Sequence, residues 1–433
     1  MKSSTETLNP TSVPKDLSSG WFVRTTRSMV LAGMRGITRG KLVIHDHGEV
    51  FECGTDEGAT DIYAEIHIQS GETWTAVARR GSIGAAEAFV QAHWTTPDLT
   101  QVIRIFVANR SVLEGMENSL ARFVMPLWRV AHFVHANTRK GSRRNIAAHY
   151  DLGNDFFKLF LDETMMYSAA VFERPDMTLV EAQHAKNERI CRKLDLKSTD
   201  HLLEIGTGWG GFAIHAARHH GCRVTTTTIS RQQYDLACER VRAAGLEDRI
   251  KIVMEDYRDL SGTWDKVVSI EMIEAVGHKF YPDYFAAISH LLKPDGLALI
   301  QAITITDQIY EQALRQVDFI QKYIFPGSCI PSITALLTAM TNASDLKLTH
   351  LEDITPHYAT TLRLWREALL KKRHEAAALG HDDEFLRLWE FYFAYCEGGF
   401  MERAIGDVHM LLARPLNRRD SIVPSLSPAG ESV

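Results

Sequence analysis

Apolar and polar residues alternate in two short stretches near the start of the chain, Lys41 to Ile44 and Ile62 to Ile68, and this period of two predicts a small β-rich unit between Gly40 and Ala78. From Gly81 to Val107 the spacing becomes helical, and apolar positions recur at helical intervals again from Glu114 to Val134. After about residue 145 helix-like and strand-like segments take turns. The pattern predicts a helix over Leu179–Leu194, a strand over 201–205, a helix over 210–219, a strand over 222–228, a helix over 231–244 and strands at 250–254, 265–270 and 296–303. A helix over Asp283 to Leu292 and the turn Lys293-Pro294-Asp295-Gly296 lead into the last of these. Such alternation builds an α/β fold with a mostly parallel sheet and crossover helices. The stretch from Gln308 to about Glu397 is mostly helical in pattern and is expected to form a lid.

Residues 1–20 and 418–433, both rich in Ser and Pro, lack apolar periodicity and are expected to be disordered ends. At 433 residues the chain exceeds the size at which a single core stops growing, so two domains are expected. The boundaries fall at 21–135 for a smaller α+β domain and 136–417 for the larger one, whose lid spans about 308–397. Six widely spaced cysteines without a Cys-x-x-Cys pair point to no metal or redox site and suit a reducing cytoplasm. The chain has neither the apolar core of a signal peptide nor a run of 18 apolar residues, so any membrane contact is expected to be peripheral.

A net charge of −6 gives no general affinity for nucleic acid. The charge is uneven, however: Arg122, Arg129, Arg139, Lys140, Arg143 and Arg144 occur between residues 122 and 144 without one Asp or Glu. That cluster reads equally as a solvated linker or as a patch for anionic lipid head groups.

Candidate chemistry centres on Leu202-Leu203-Glu204-Ile205-Gly206-Thr207-Gly208-Trp209-Gly210-Gly211, a buried-strand run that breaks into glycines where a helix begins. Glycines 206, 208 and 210 allow tight turning and close approach to a nucleotide. A dinucleotide site would place an acid about 20 residues on, but the next strand ends Thr-Thr-Thr-Thr-Ile-Ser. The acid lies instead inside the first strand, at Glu204, as in methyltransferase strands that bind S-adenosylmethionine. The carboxyl ends of the strands then bring 206–211, 228–233, Asp256–Tyr257, 271–274 and 301–304 around one crevice. The residues alone do not choose between Glu271 and Glu274 as the acid at that crevice.

Several blocks together resemble cyclopropane-fatty-acyl-phospholipid synthases and the related mycolic-acid cyclopropane synthases and C-methyltransferases. They include His149 to Phe157, Tyr167-Ser168-Ala169-Ala170, Glu204 to Gly211, Thr228-Ile229-Ser230 with Gln233, Glu274-Ala275-Val276-Gly277, Tyr323 to Gly327 and Tyr358 to Leu362. The resemblance implies a Rossmann-like class I methyltransferase fold with a smaller lipid-engaging N-terminal domain. It implies a cytoplasmic enzyme, peripheral to the inner face of the membrane, that alkylates the cis double bond of an unsaturated phospholipid acyl chain and forms a cyclopropane. It leaves monomer and homodimer open. The alternatives are a lipid C-methyltransferase giving a methyl or methylene branch, and a silent cofactor-and-lipid binding protein.

The resemblance also assigns residues. Tyr150, Tyr167, Ser168, Glu204, Gly206, Gly208, Gly210, Thr228, Ile229, Gln233, Asp256 and Tyr257 would hold S-adenosylmethionine. The base in the family is a bound bicarbonate whose ligand positions correspond to Ala169, Glu274, Gln301, Ile303 and Tyr358. Ala169 stands where the family has Cys and Gln301 where it has His, and of the two only Gln301 retains a side-chain donor.

Overall fold

The computed structural model describes residues 20–55, 62–117 and 152–422. The basic stretch 122–144, His149 and Tyr150 lie outside the described residues, as do 1–19 and 423–433.

The N-terminal part begins with α1 (Trp21–Met34), whose buried Thr26, Val30 and Met34 recur every four residues on one face. It continues through β1 (Lys41–Asp46), β2 (Glu49–Gly54), β3 (Tyr63–Ile68), α2 (Glu72–Val90), β4 (Trp94–Thr95), α3 (Leu99–Ala108) and α4 (Arg110–Glu117). The sheet runs β2-β1-β3-β4, with β1 parallel to β3. A two-residue turn, His47-Gly48, joins β1 to β2 with both φ angles positive, as the twist of a tight hairpin requires. Helix α2 starts well before the Gly81 expected from the pattern, and it kinks there at φ 56° and ψ −133°. The break in periodicity at Gly81 is thus a kink inside one element.

The second part contains α5 (Asn154–Phe157), α6 (Leu179–Leu194), β5 (His201–Ile205), α7 (Gly211–His220), β6 (Arg223–Thr227), α8 (Arg231–Ala243), β7 (Ile250–Val253) and β8 (Trp264–Ile270). After these come α9 (Tyr281–Leu291), β9 (Leu292–Ile305), α10 (Asp307–Ala313), α11 (Phe319–Tyr323), α12 (Ile333–Ala343) and β10 (Lys347–Asp353). The last elements are α13 (Thr355–Lys371), α14 (Arg373–Ala378), α15 (Asp383–Met401) and β11 (Ile405–Ala413). A complete capping box, Thr178 with Glu181, starts α6 where the pattern places it.

Seven strands form one sheet in the order β10-β11-β9-β8-β5-β6-β7. Six run in one direction, and β11 runs antiparallel between β9 and β10. The strand order reverses between β5 and β8, so their carboxyl ends open a crevice as expected of a Rossmann-like sheet. The stretch 308–397 is not purely helical, because it contributes β10 to the sheet edge, and β11 extends the sheet beyond it. Residues 418–422, expected to begin a disordered tail, lie against α6, where Arg419 donates to the carbonyls of Lys193 and Arg192.

The two parts meet along α15. Gly398 approaches Ile103 of α3, Thr100 donates to Glu397 at 3.0 Å, and Arg104 pairs with Glu402 at 2.7 Å. Phe156, Phe157, Phe160, Trp365, Trp389 and Phe393 form an aromatic core with ring centroids 4.7–6.2 Å apart.

Candidate functional site

A cavity of about 290 Å³ opens where the sheet order reverses. Its polar end is built by the turn after β5, where Gly206 and Gly208 have φ of 100° and 51°. An added Cβ on Gly208 would meet no atom within 4 Å, so the bare backbone there leaves room for a ligand. Gly210 does not line the cavity; it caps α7 and packs toward Ala237 of α8.

Other expected cofactor positions face the same space: Tyr167, Ser168, Glu204, Thr228, Ile229, Gln233, Asp256 and Tyr257. Burial pushes the Glu204 carboxyl up to about 8, although Thr226 donates to it at 2.6 Å. Thr228 donates to the Gln233 side-chain oxygen at 2.9 Å, so the groups Gln233 can offer a ligand are its amide N–H donors. Arg258 grips Asp256 through two bonds of 2.8 and 2.6 Å, which commits that carboxylate to the wall. Ser168 accepts from Lys186 at 2.8 Å, and burial lowers this lysine to about 8.

The opposite wall is apolar, made by Ile303, Ile320, Phe325, Pro326, Leu362 and Phe400. In α15 the Tyr392 side chain lines the cavity, its hydroxyl 3.1 Å from that of Tyr167, while Trp389, Phe391 and Phe393 are buried core.

Between the two ends sits a cluster of three carboxyl groups, Glu271 half-buried and Glu274 and Asp407 buried. Glu271 directly follows β8 with φ 46°, a left-handed conformation uncommon for a residue with a side chain. Its Oε1 accepts from the Ala169 N–H at 2.8 Å and from Gln301 Nε2 at 2.7 Å, and its Oε2 accepts from the Tyr358 hydroxyl at 2.6 Å. Asp407 shares the Gln301 amide at 3.0 Å. Glu274 Oε1 accepts from the Ile303 N–H at 2.6 Å, while Oε2 is buried without a hydrogen-bond partner among the described residues. Burial raises all three carboxyls, Glu274 to about 8 and Asp407 well above its usual range, with Glu271 a further cause in both. Glu271 is the one with three donors aimed at it, which favours its ionised form.

The positions assigned to bicarbonate do come together, but around a carboxylate of the chain itself. Ala169, Gln301 and Tyr358 donate to Glu271, and the Ile303 N–H is taken by Glu274. A separate anion would compete for donors already used and would face three carboxyl groups, so bicarbonate does not fit. Glu271, and not Glu274, is the carboxylate on which these donors converge.

The pattern gave no assignment to Asp407, His409 or Lys186, all fully or almost fully buried. A signal existed in each case. Lys186 interrupts the buried stripe Ala182, Ile190 of α6, and Asp407 and His409 share one face of an otherwise apolar strand. Among the described residues His45, Glu65 and His67 form the group of potential metal ligands, but the two imidazoles are stacked at 9°, so their lone pairs do not aim at a common point.

Residues 137–410 match the family model described as mycolic acid cyclopropane synthetase. The chain is 40% identical over 360 residues to the tuberculostearic acid methyltransferase UfaA1 of Mycobacterium tuberculosis, covering 81% of this chain and 84% of that protein. It is 33% identical over 344 residues to the cyclopropane-fatty-acyl-phospholipid synthase of Escherichia coli K12, covering 79% and 86%. Among solved structures, mycolic acid cyclopropane synthase CmaA1 complexed with SAH and CTAB superposes with a TM-score of 0.59 at 32% identity, covering 63% of this chain and 98% of that one.

Proposed function

The chain belongs to the mycolic acid cyclopropane synthetase family of S-adenosylmethionine-dependent, lipid-modifying methyltransferases, and on that premise we propose that it methylates an olefinic carbon of an unsaturated phospholipid acyl chain, with Glu271 as the base and an unsaturated, methylene-type branch as the product. The observation that carries this reading is the convergence of Ala169, Gln301 and Tyr358 on the Glu271 carboxylate. Bound S-adenosylmethionine supplies an electrophilic methyl to the alkene and departs as S-adenosylhomocysteine, leaving a carbocation on the acyl chain.

The chain's own residues do the rest. Apolar Ile303, Ile320, Phe325 and Leu362 keep water from the cation. The carboxylate of Glu271 stabilises positive charge and takes up one proton, and the C–H electron pair left behind becomes a new C=C bond. Support for the unsaturated product comes from the 40% identity to a protein named a methyltransferase, together with the replacement of two expected anion ligands by Ala169 and Gln301. Ring closure, in which that electron pair forms a C–C bond instead, is favoured by the family match and the 33% identity to a cyclopropane synthase.

Access to lipid is supported by α1, which exposes Trp21, Phe22 and Met29 beside Arg24 and carries no acidic residue. No helix among the described residues is long and apolar enough to cross a membrane. The test is incubation of purified protein with unsaturated phospholipid vesicles and labelled S-adenosylmethionine, followed by mass analysis and ozone cleavage. A product heavier by one CH₂ that ozone still cleaves is expected. A product of that mass inert to ozone establishes the ring, and absence of label from lipid overturns both.

A further inference from the structure

We propose that Lys193, which does not line the cavity, is a positioning residue that orients the base through a hydrogen-bonded row from Lys193 to His409, Gln301 and Glu271. The inference rests on Glu271 being the proton acceptor. The row follows from sheet register, because Gln301 of β9 lies opposite His409 of β11, which lies opposite Glu352 of β10. Lys193 reaches this row from the last turn of α6.

A buried primary amide can lie either way round, and here only one way is productive. With Nε2 toward the carboxyls, Gln301 donates to Glu271 at 2.7 Å and Asp407 at 3.0 Å. Turned over, its oxygen would face the ionised Glu271 carboxylate, which has no proton to give. The choice is made by what meets Oε1, and that is His409 Nε2 at 3.1 Å.

His409 can donate there only if its single proton is on Nε2. Burial holds this imidazole well below its usual range, so it stays neutral and has one N–H to place. Its Nδ1 lies 2.9 Å from Lys193 Nζ. An ammonium has donors and no lone pair, so Nδ1 must accept and the proton must be on Nε2. Burial lowers Lys193 to about 8 in spite of the Glu352 carboxylate bonded to it, which leaves it mainly protonated at pH 7. Glu352 is itself held down to about 2 by bonds from Arg189 and Lys193, against the opposing effect of burial. Arg189 of α6 and His350 of β10 also face Lys193.

Two readouts test the lock. In protein carrying ¹⁵N-labelled histidine, with His409 identified by difference against His409→Gln, the Nε2–H tautomer is expected in the native chain. Lys193→Met should populate the Nδ1–H form. In turnover, Lys193→Met should lower kcat about tenfold with KM for lipid and S-adenosylhomocysteine affinity unchanged. Lys193→Gln, which keeps an N–H donor without the charge, should recover most of the loss. In a Gln301→Met background, Lys193→Met should cost nothing further. If Lys193→Met does not fold, the native tautomer and the Lys193→Gln variant still decide. An Nδ1–H tautomer in the native protein, equal loss in Lys193→Gln and Lys193→Met, or additive losses with Gln301→Met would overturn the proposal. A tautomer that follows Lys193 while Glu271→Gln keeps full turnover would refute Glu271 as the base and leave the lock standing.

Discussion

Replacing Glu271 by Gln removes a proton acceptor and little else. The amide oxygen can still receive the Ala169 N–H and the Gln301 amide at the present 2.8 and 2.7 Å, and the Tyr358 hydroxyl, now facing an NH₂, can turn to accept. The backbone at φ 46° is unchanged, and a carboxyl whose ionised form burial disfavours is gone, so the melting temperature should hold or rise. Loss of a general base costs about 10²–10⁴-fold in rate, equivalent to about 3–5 kcal/mol of barrier. Label transfer from S-adenosylmethionine into phospholipid measures it, with S-adenosylhomocysteine calorimetry confirming an intact cofactor end. Glu274→Gln is the matched control. With its pKa near 8, Glu274 is already mostly neutral at pH 7 and already accepts the Ile303 N–H, so its loss should stay below about tenfold. Glu271→Gly makes the converse test, because it relieves the left-handed strain and frees the donors of Ala169, Gln301 and Tyr358 for a small anion. Added bicarbonate should then restore part of the turnover, while having no effect on the native chain. Turnover of Glu271→Gln within threefold of native, or bicarbonate dependence of the native chain, would refute the reasoning.

Tyr358→Phe deletes a charge-assisted bond but keeps the ring stacked 4.4 Å from Phe400; kcat should fall about 10- to 100-fold while the melting temperature changes little. Glu204 and Glu274 are raised to about 8 in the folded chain against roughly 4.3 unfolded, so the stability they allow is full below that lower value and is lost as pH rises toward 8. Thermal melts of the ligand-free protein should therefore fall between pH 5 and 8, and an unaltered slope in Glu204→Gln would contradict this. Gly211→Ala drives a Cβ to 2.4 Å from the Thr164 carbonyl and should unfold the chain or displace 164–168, whereas Gly208→Ala meets no protein atom and should fold at a cost of about 1–2 kcal/mol, with weakened S-adenosylhomocysteine binding by calorimetry.

Local rules made much of the catalytic sheet legible. Helix α6 carries its own capping box, and β5 and β6 are apolar or β-branched runs bounded by turn residues, so their extents follow from nearest neighbours in sequence. β10 and β11 were hidden for different reasons. In β10 the residues Lys347, His350, Glu352 and Asp353 suit a sheet edge but dilute the apolar signal, and in β11 Asp407 and His409 break an apolar run because they serve the buried cluster. The glycine turn and most of the polar cavity wall were readable because close backbone approach demands particular residue types. The choice between Glu271 and Glu274 was not, since it depends on a φ of 46° at the end of β8 and on which N–H groups that angle brings within reach.

The strained backbone at Glu271 and the buried polar row across β9, β11 and β10 have one physical consequence in common. A diffusible anion must be captured at each turnover, and its ligands need only wait with donors exposed. A side-chain carboxylate is always present at high effective concentration, but burial disfavours its charge, and that charge in turn keeps Glu274 and Asp407 in their neutral forms. Three donors on Glu271 offset the effect of burial, and a donor is useful only if it cannot turn into an acceptor. The Ala169 N–H cannot reverse, and the Tyr358 hydroxyl facing a carboxylate, which can only accept, has to donate. The Gln301 amide can reverse, and it is the one donor of the three whose far side is fixed by a neutral histidine and an ammonium group. A histidine at position 301 would present a different pair of nitrogens to the same row, so the Gln301 side chain, the buried His409 and the Glu271 carboxylate are consistent with one another as one arrangement.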